Sequence, residues 1–270
     1  MTLQIPNLSP KDHKRLVKCH QRKYPQSNDE FVLLLEEDIF DCLLRMEKSS
    51  EKHYSAREDD ITSELSGNLI CLGYDASEQT KKNGAVDLTV KSEEYEWIAE
   101  AKRGTSNLHI FEGFLQLLTR YVKQDKNAGI LIYYQKKGAI TQFRSFIEYL
   151  SQKEWATSTN ILKNTIASEE IEQLFSEMKV GNITDISFDL YTQSISGAMI
   201  KVKVFSANFY FNPLDKSGRD AQRVQYNNAK LRLMESHHNW QKNEYKNFDV
   251  KALDELLNVL FQFENGDFEK

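Results

Sequence analysis

The sequence predicts an α/β chain built on a mixed sheet, and three observations carry the prediction. Between about Arg57 and Leu150, apolar residues switch between helical and strand periodicity in the order helix, three strands, helix, strand, helix. Two of the strand-like runs, Asp87–Lys91 and Glu96–Lys102, alternate and are separated by a short polar turn, which reads as a hairpin. The 270 residues are 40% hydrophobic and 28% charged, the composition of a globular chain long enough for one large domain or two small ones.

The elements follow in order. Lys11–Lys23 is a basic helix stopped at Tyr24-Pro25, either a solvated face or an arm that contacts phosphate. Ser27-Asn28-Asp29-Glu30 offers capping groups for a helix through about Glu47, with Phe31, Leu34, Leu35, Ile39 and Leu43 near helical spacing. Residues 1–55 therefore read as an N-terminal helical extension. The next helix, about Arg57–Leu72, buries Ile61, Leu65, Leu69 and Leu72, and Gly73 stops it. Tyr74–Gln79 forms a first strand, and Lys81–Gly84 turns into the hairpin. A helix over about Leu108–Lys123, a buried strand Gly129–Tyr134 and a helix over about Thr141–Leu150 complete a core spanning residues 56–150.

Residues 151–270 read as a C-terminal α+β extension for recognition, dimerisation or partner docking. Thr184–Tyr191 and Met199–Phe211 suggest strands turning near Gln193–Gly197. Leu214–Arg219 is a loop, Asp220–Glu235 a helix bearing Arg219, Arg223, Lys230 and Arg232 on or beside it, and His237–Lys246 a polar stretch. Val250–Phe263 is an amphipathic helix.

Several functional classes are set aside. No apolar run approaches the ~20 residues that span a bilayer, and the N-terminus lacks a signal-peptide pattern, so a cytoplasmic protein without membrane contact is expected. Cys19, Cys42 and Cys71 are scattered and suggest neither disulfides nor zinc. His13, His20, His237 and His238 lack metal-ligand partners at useful spacing. Phosphate-binding glycine loops and a Gly-x-Ser-x-Gly elbow are absent. The net charge of −5 argues against a protein that coats nucleic acid, though not against a nuclease with local basic contacts.

Chemistry concentrates in Gly84-Ala85-Val86-Asp87 and Glu100-Ala101-Lys102. With the hairpin turn at Ser92–Tyr95, symmetry sets Asp87 opposite Glu100. Opposed residues of an antiparallel pair share a face with Cβ atoms roughly 5 Å apart, and Lys102 shares that face because side chains alternate. Two facing carboxylates repel, and a divalent cation removes the conflict: Mg²⁺ takes one or two carboxylates and fills its shell with water and phosphate oxygens.

This motif, on this order of elements, resembles the restriction-endonuclease-like, or PD-(D/E)xK, nuclease superfamily over about Arg57–Leu150, with Val86 where the family has proline. The resemblance implies an enzyme, a Mg²⁺-dependent DNA endonuclease (Mn²⁺ as an alternative ion) leaving 5′-phosphate and 3′-hydroxyl ends, in bacterial restriction or antiphage defence. Asp87, Glu100 and the Ala101 carbonyl would hold the metal, and Lys102 would act on the attacking water and transition state. A glutamate of the first helix, Glu58 or Glu64, would complete the site. Gln116, in a segment that also carries Arg120 and Tyr121, would orient a ligand or the scissile phosphate. Double-stranded DNA is the expected partner, with a homodimer or a regulatory ATPase, helicase or other defence subunit as further associations. The alternative is a non-catalytic nucleic-acid-binding or structural subunit on the same scaffold.

Overall fold

The computed structural model describes residues 9–81, 84–92, 94–157, 165–219, 221–243 and 245–268, apart from the side chains of 165–167, 219, 222, 223 and 262–268. Met1–Leu8, the Lys82-Asn83 turn, Glu93, Asp220 and the side chains of Arg219 and Arg223 lie outside the described residues. The chain divides into two compact units, Met1–Tyr210 and Phe211–Lys270. Both sequence-level boundaries, near residues 55 and 150, fall inside the first unit.

The first unit is a mixed α/β layer structure. Its helices are α1 (Pro10–Lys23), α2 (Asn28–Glu47), α3 (Ser50–His53), α4 (Glu58–Cys71), α5 (Asn107–Gln116), α6 (Ala139–Ser151) and α7 (Thr165–Leu174). Its strands are β1 (Asp75–Ser77), β2 (Thr80–Lys81), β3 (Ala85–Val86), β4 (Leu88–Ser92), β5 (Tyr95–Arg103), β6 (Asn127–Tyr134), β7 (Lys179–Gly181), β8 (Ser187–Gln193) and β9 (Met199–Asn208). Seven strands form one sheet in the order β1-β4-β5-β6-β9-β8-β7, and β2 and β3 form a separate ribbon. The sheet is mixed because β5, β6 and β9 run parallel while the remaining pairs are antiparallel. The expected hairpin near Gln193–Gly197 joins β8 to β9, closed by Ser194 N–H donating to the Ala198 carbonyl at 2.8 Å.

Alternation along the strands splits the core between the two faces. Trp97, Ala99 and Ala101 of β5 pack with Phe31, Leu35, Ile39 and Leu43 of α2 and Ile61, Leu65 and Leu69 of α4. Ile98 faces the other way, into a cluster with Phe111 and Phe114 of α5 and Phe143 and Phe146 of α6. α2 is thus part of the core layer rather than an extension beside it. Its start is capped as expected, with Ser27 Oγ accepting from Glu30 N–H at 3.1 Å. A bidentate Arg22–Asp38 pair, at 2.7 and 2.8 Å, fastens α1 to α2, and Tyr74 Oη donates to the same carboxylate at 2.8 Å.

The second unit holds a short turn of helix, α8 (Lys216–Arg219), then α9 (Gln222–Lys242) and α10 (Val250–Phe268). α9 and α10 pack on each other, with Ala229 and Ala252 buried and Arg232 paired to Glu255. α9 runs seven residues past the expected end at Glu235. The polar sequence there hides a local aromatic cluster, Trp240 against Tyr245 and Phe248, that the helix end supports. No described helix is long and apolar enough to cross a membrane.

Candidate active site

The hairpin register is the one that symmetry predicts. Leu88 pairs with Ala99 and Ser92 with Tyr95, and the ladder ends one residue short of Asp87 and Glu100. Asp87 itself lies just outside the ladder, before β4 begins. Beyond Ala99 no described strand pairs with the β4-facing edge of β5, so its backbone groups need other partners. Asp87 Oδ2 supplies one, accepting from Ala101 N–H at 2.8 Å. Within a strand a residue's carbonyl points to the same edge as its N–H, which turns the Ala101 oxygen toward the Asp87 side.

Glu100 and Lys102 follow Ile98 at steps of two and share its face, toward α5. Both are buried, at 3% and 8% exposure, and Lys102 Nζ lies 2.6 Å from Glu100 Oε1. The lysine stem passes against Gly113 of α5, where a Cβ would come within 2.7 Å of Lys102 Cγ.

α4 brings Glu58 to the end of β5. Asp60, not Glu58, caps the helix, its Oδ2 accepting from Arg57 N–H at 3.2 Å. Glu58 is left to reach the sheet: Oε2 accepts from Arg103 N–H at 2.6 Å, and Oε1 lies 3.8 Å from Lys102 Nζ. Thr62 Oγ1, 3.1 Å from Tyr133 Oη, fixes this end of α4 on β6. Glu64 does not join the group. It is half exposed and points to His53 Nε2 at 3.6 Å, because six residues of helix turn it away from Glu58's side. Of the two glutamates left open by the sequence, Glu58 is the one beside the lysine.

Gln116 ends α5, half-buried, with Oε1 buried and without a hydrogen-bond partner; the structure does not join it to the carboxylates. The expected single helix to Lys123 instead gives way to a π-helical turn, Leu117–Tyr121, where Val122 N–H donates to the Leu117 carbonyl at 3.1 Å. Nothing in the sequence signals that turn. It aims Tyr121 Oη at the Ala85 carbonyl, 2.9 Å away, at the base of the arm that carries Asp87. Arg103 and Arg120 are exposed on the same elements.

Three carboxylates thus surround one ammonium. Burial, then the Asp87 carboxylate, push Glu100 up to about 7 despite Lys102. Burial likewise raises Asp87 and Glu58. For Lys102, burial alone would lower the pKa, but Glu100, Glu58 and Asp87 outweigh it and raise it, so the ammonium is kept. Glu100 Oε2 is buried with no donor facing it. Its Asp87 neighbour is a second acceptor, so the two carboxyls satisfy each other only when one holds a proton, and the raised Glu100 is the one favoured to hold it.

Among the described residues, no three His, Cys, Asp or Glu side chains are gathered closely enough to enclose a metal ion by themselves. Mg²⁺ does not need such a cage, since it binds through one or two carboxylates and keeps water and phosphate oxygens. The donor set here is of that kind: Asp87, the orphaned oxygen of Glu100 and the Ala101 carbonyl are all hard oxygens, with Glu58 at the margin. No family model, curated protein or solved structure matches the chain.

Proposed function

We propose that the chain is a metal-dependent phosphodiesterase acting on DNA as an endonuclease, with a restriction-endonuclease-like core. The observation that carries this reading is the buried Glu100 oxygen with no donor, next to Asp87 and with Lys102 at 2.6 Å on the other oxygen. A buried carboxylate in that state is costly unless a cation or proton meets it.

Asp87, Glu100 and the Ala101 carbonyl would hold Mg²⁺, or Mn²⁺ in its place, and Glu58 would support the shell. When bound, the ion lowers the pKa of a coordinated water and offsets charge on the phosphoryl oxygens. Lys102 keeps its proton, so its role is electrostatic: it favours the transition state's added negative charge and does not act as the base. Its fixed ion pair with Glu100 orients it without a reorganisation step. Exposed Arg103 and Arg120 supply cations on the surrounding elements for a polyanionic strand. Cleavage leaves a 5′-phosphate and a 3′-hydroxyl.

The test is incubation of supercoiled and linear double-stranded DNA with Mg²⁺, with EDTA and Lys102→Ala as controls. Nicking or linearisation that needs both the ion and the lysine is expected. Equal activity of wild type and Lys102→Ala, or intact DNA across Mg²⁺ and Mn²⁺, overturns the reading.

A further inference from the structure

Asp87 stands at a break in its strand. Val86 is buried in the α5-side cluster, whereas Leu88, two residues on, is buried in the α2/α4-side cluster. In an unbroken strand these two would share a face. The chain therefore turns over at Asp87, and the β4–β5 ladder alone does not set where its carboxylate points. A second anchor is needed on the N-terminal side.

That side is the β2–β3 ribbon, which among the described residues pairs Thr80 with Val86 and Lys81 with Ala85. So short a ribbon does not hold itself in water. Tyr121 holds it from the opposite element. Its hydroxyl donates to the Ala85 carbonyl at 2.9 Å, and its ring lies under Gly84. Gly84 sits at φ +136°, where a Cβ would be strained and would come within 3.3 Å of that ring. The π-helical turn is what delivers Tyr121: one residue inserted into the helical repeat swings the following side chains by about 100°. Tyr121 is only 6% exposed, so its contact is protected from competing water.

We propose that Tyr121 is a positioning residue that clamps the Gly84–Val86 arm and so aims the Asp87 carboxylate at the metal-binding edge of β5. The proposal rests on the nuclease reading for its purpose, but not for its geometry, and the experiment separates the two. In the metal-free protein, hydrogen exchange reports the aim of Asp87 directly, because the Ala101 amide is bonded to Asp87 Oδ2. Tyr121→Phe keeps the ring and removes the hydroxyl, and with it the bond to Ala85 and a contact to Arg120; Gly84→Ala leaves the Arg120 contact in place and so isolates the clamp. We expect its Ala101 amide to exchange about three- to tenfold faster, the yield of losing one ordinary hydrogen bond, while the Val90 and Ile98 ladder amides and the melting temperature stay put. Gly84→Ala, which crowds the same ring, should act in the same direction. In cleavage assays Tyr121→Phe should raise the half-saturating Mg²⁺ concentration by a similar factor and leave the rate at saturating Mg²⁺ within twofold. Unchanged Ala101 exchange in both variants overturns the proposal. Faster exchange in a protein whose wild type cuts nothing leaves the clamp standing and removes the nuclease reading instead.

Discussion

Two buried clusters of acids and lysines occupy opposite faces of the same sheet, and they differ in balance. On the α2 side, Glu36 meets Lys201 at 2.9 Å, Asp189 meets Lys203 at 2.9 Å, and Asn182 donates to Asp189 at 2.6 Å. Two carboxylates there face two ammonium groups. On the α5 side, Asp87, Glu100 and Glu58 share the single ammonium of Lys102. Each cluster holds one buried carboxylate oxygen without a hydrogen-bond donor, Asp189 Oδ1 and Glu100 Oε2, but Lys203 lies 2.9 Å from the first. Burial is similar, since Asp189 and Glu100 are each 3% exposed. Burial alone therefore does not mark a site. The surplus of negative charge does, because a cluster whose charges balance exerts little net pull on a cation and an open one, with acids to spare, exerts more.

The largest test of this contrast is catalytic. Lys102→Ala should slow DNA cleavage by about 10²–10³-fold, the usual loss for one transition-state donor, whereas Asp189→Ala should leave the rate per folded molecule unchanged. Steady-state rates normalised to folded protein decide it.

Stability should show the reverse ranking. Asp189→Ala strands Lys203 and should cost about 3 kcal/mol in denaturant unfolding, as breaking a buried pair does. A value near zero would mean the balanced cluster is wetter than it looks.

The pH dependence is next in size. Glu100 rises from an ordinary 4.5 to about 7 in the folded chain. Its folded pKa lies above its unfolded one, so its contribution to stability is full below about pH 4.5 and is lost as pH rises through about 7. In EDTA, wild type should lose about 2–3 kcal/mol relative to Glu100→Gln across that window. Mg²⁺ at pH 8 should restore part of the loss in wild type and none in Glu100→Gln, through mass action on the folded state. Parallel stability curves for the two proteins would remove the open cluster.

The smallest difference separates two glutamates of one helix. Glu58→Gln should reduce cleavage about tenfold, equivalent to ~1.4 kcal/mol, and Glu64→Gln should do nothing. Equal effects would return the choice to where sequence left it.

How much was legible follows from which interactions are local. The hairpin register could be read because a short polar turn makes a hairpin nearly symmetric, and Leu88 does pair with Ala99. Helices α2 and α4 were legible through their apolar stripes. The choice between Glu58 and Glu64 was not, since it depends on how α4 lies on β6 through Thr62 and Tyr133. The π-helical turn left no trace, because Leu117–Tyr121 is good α-helical sequence and widens only in its tertiary setting. The first unit's extent to Tyr210 left no local trace for a related reason: β9, far along the chain, inserts between β6 and β8. Such long-range pairing has no local signature.

Gly113 carries a consequence of its own. A glycine inside a helix gives up roughly 0.5–1 kcal/mol against alanine, and its reward here is a bare stretch of backbone along which the Lys102 stem is threaded. The lysine is thereby left with few rotamers, and its head group is already oriented before any substrate arrives. A single methyl group at position 113 would close that passage and evict the amine, leaving the carboxylates intact. Under the proposed function, such a protein would keep its carboxylates for a cation and lose the amine needed for the cut, a route from scissors to clamp that is one carbon wide.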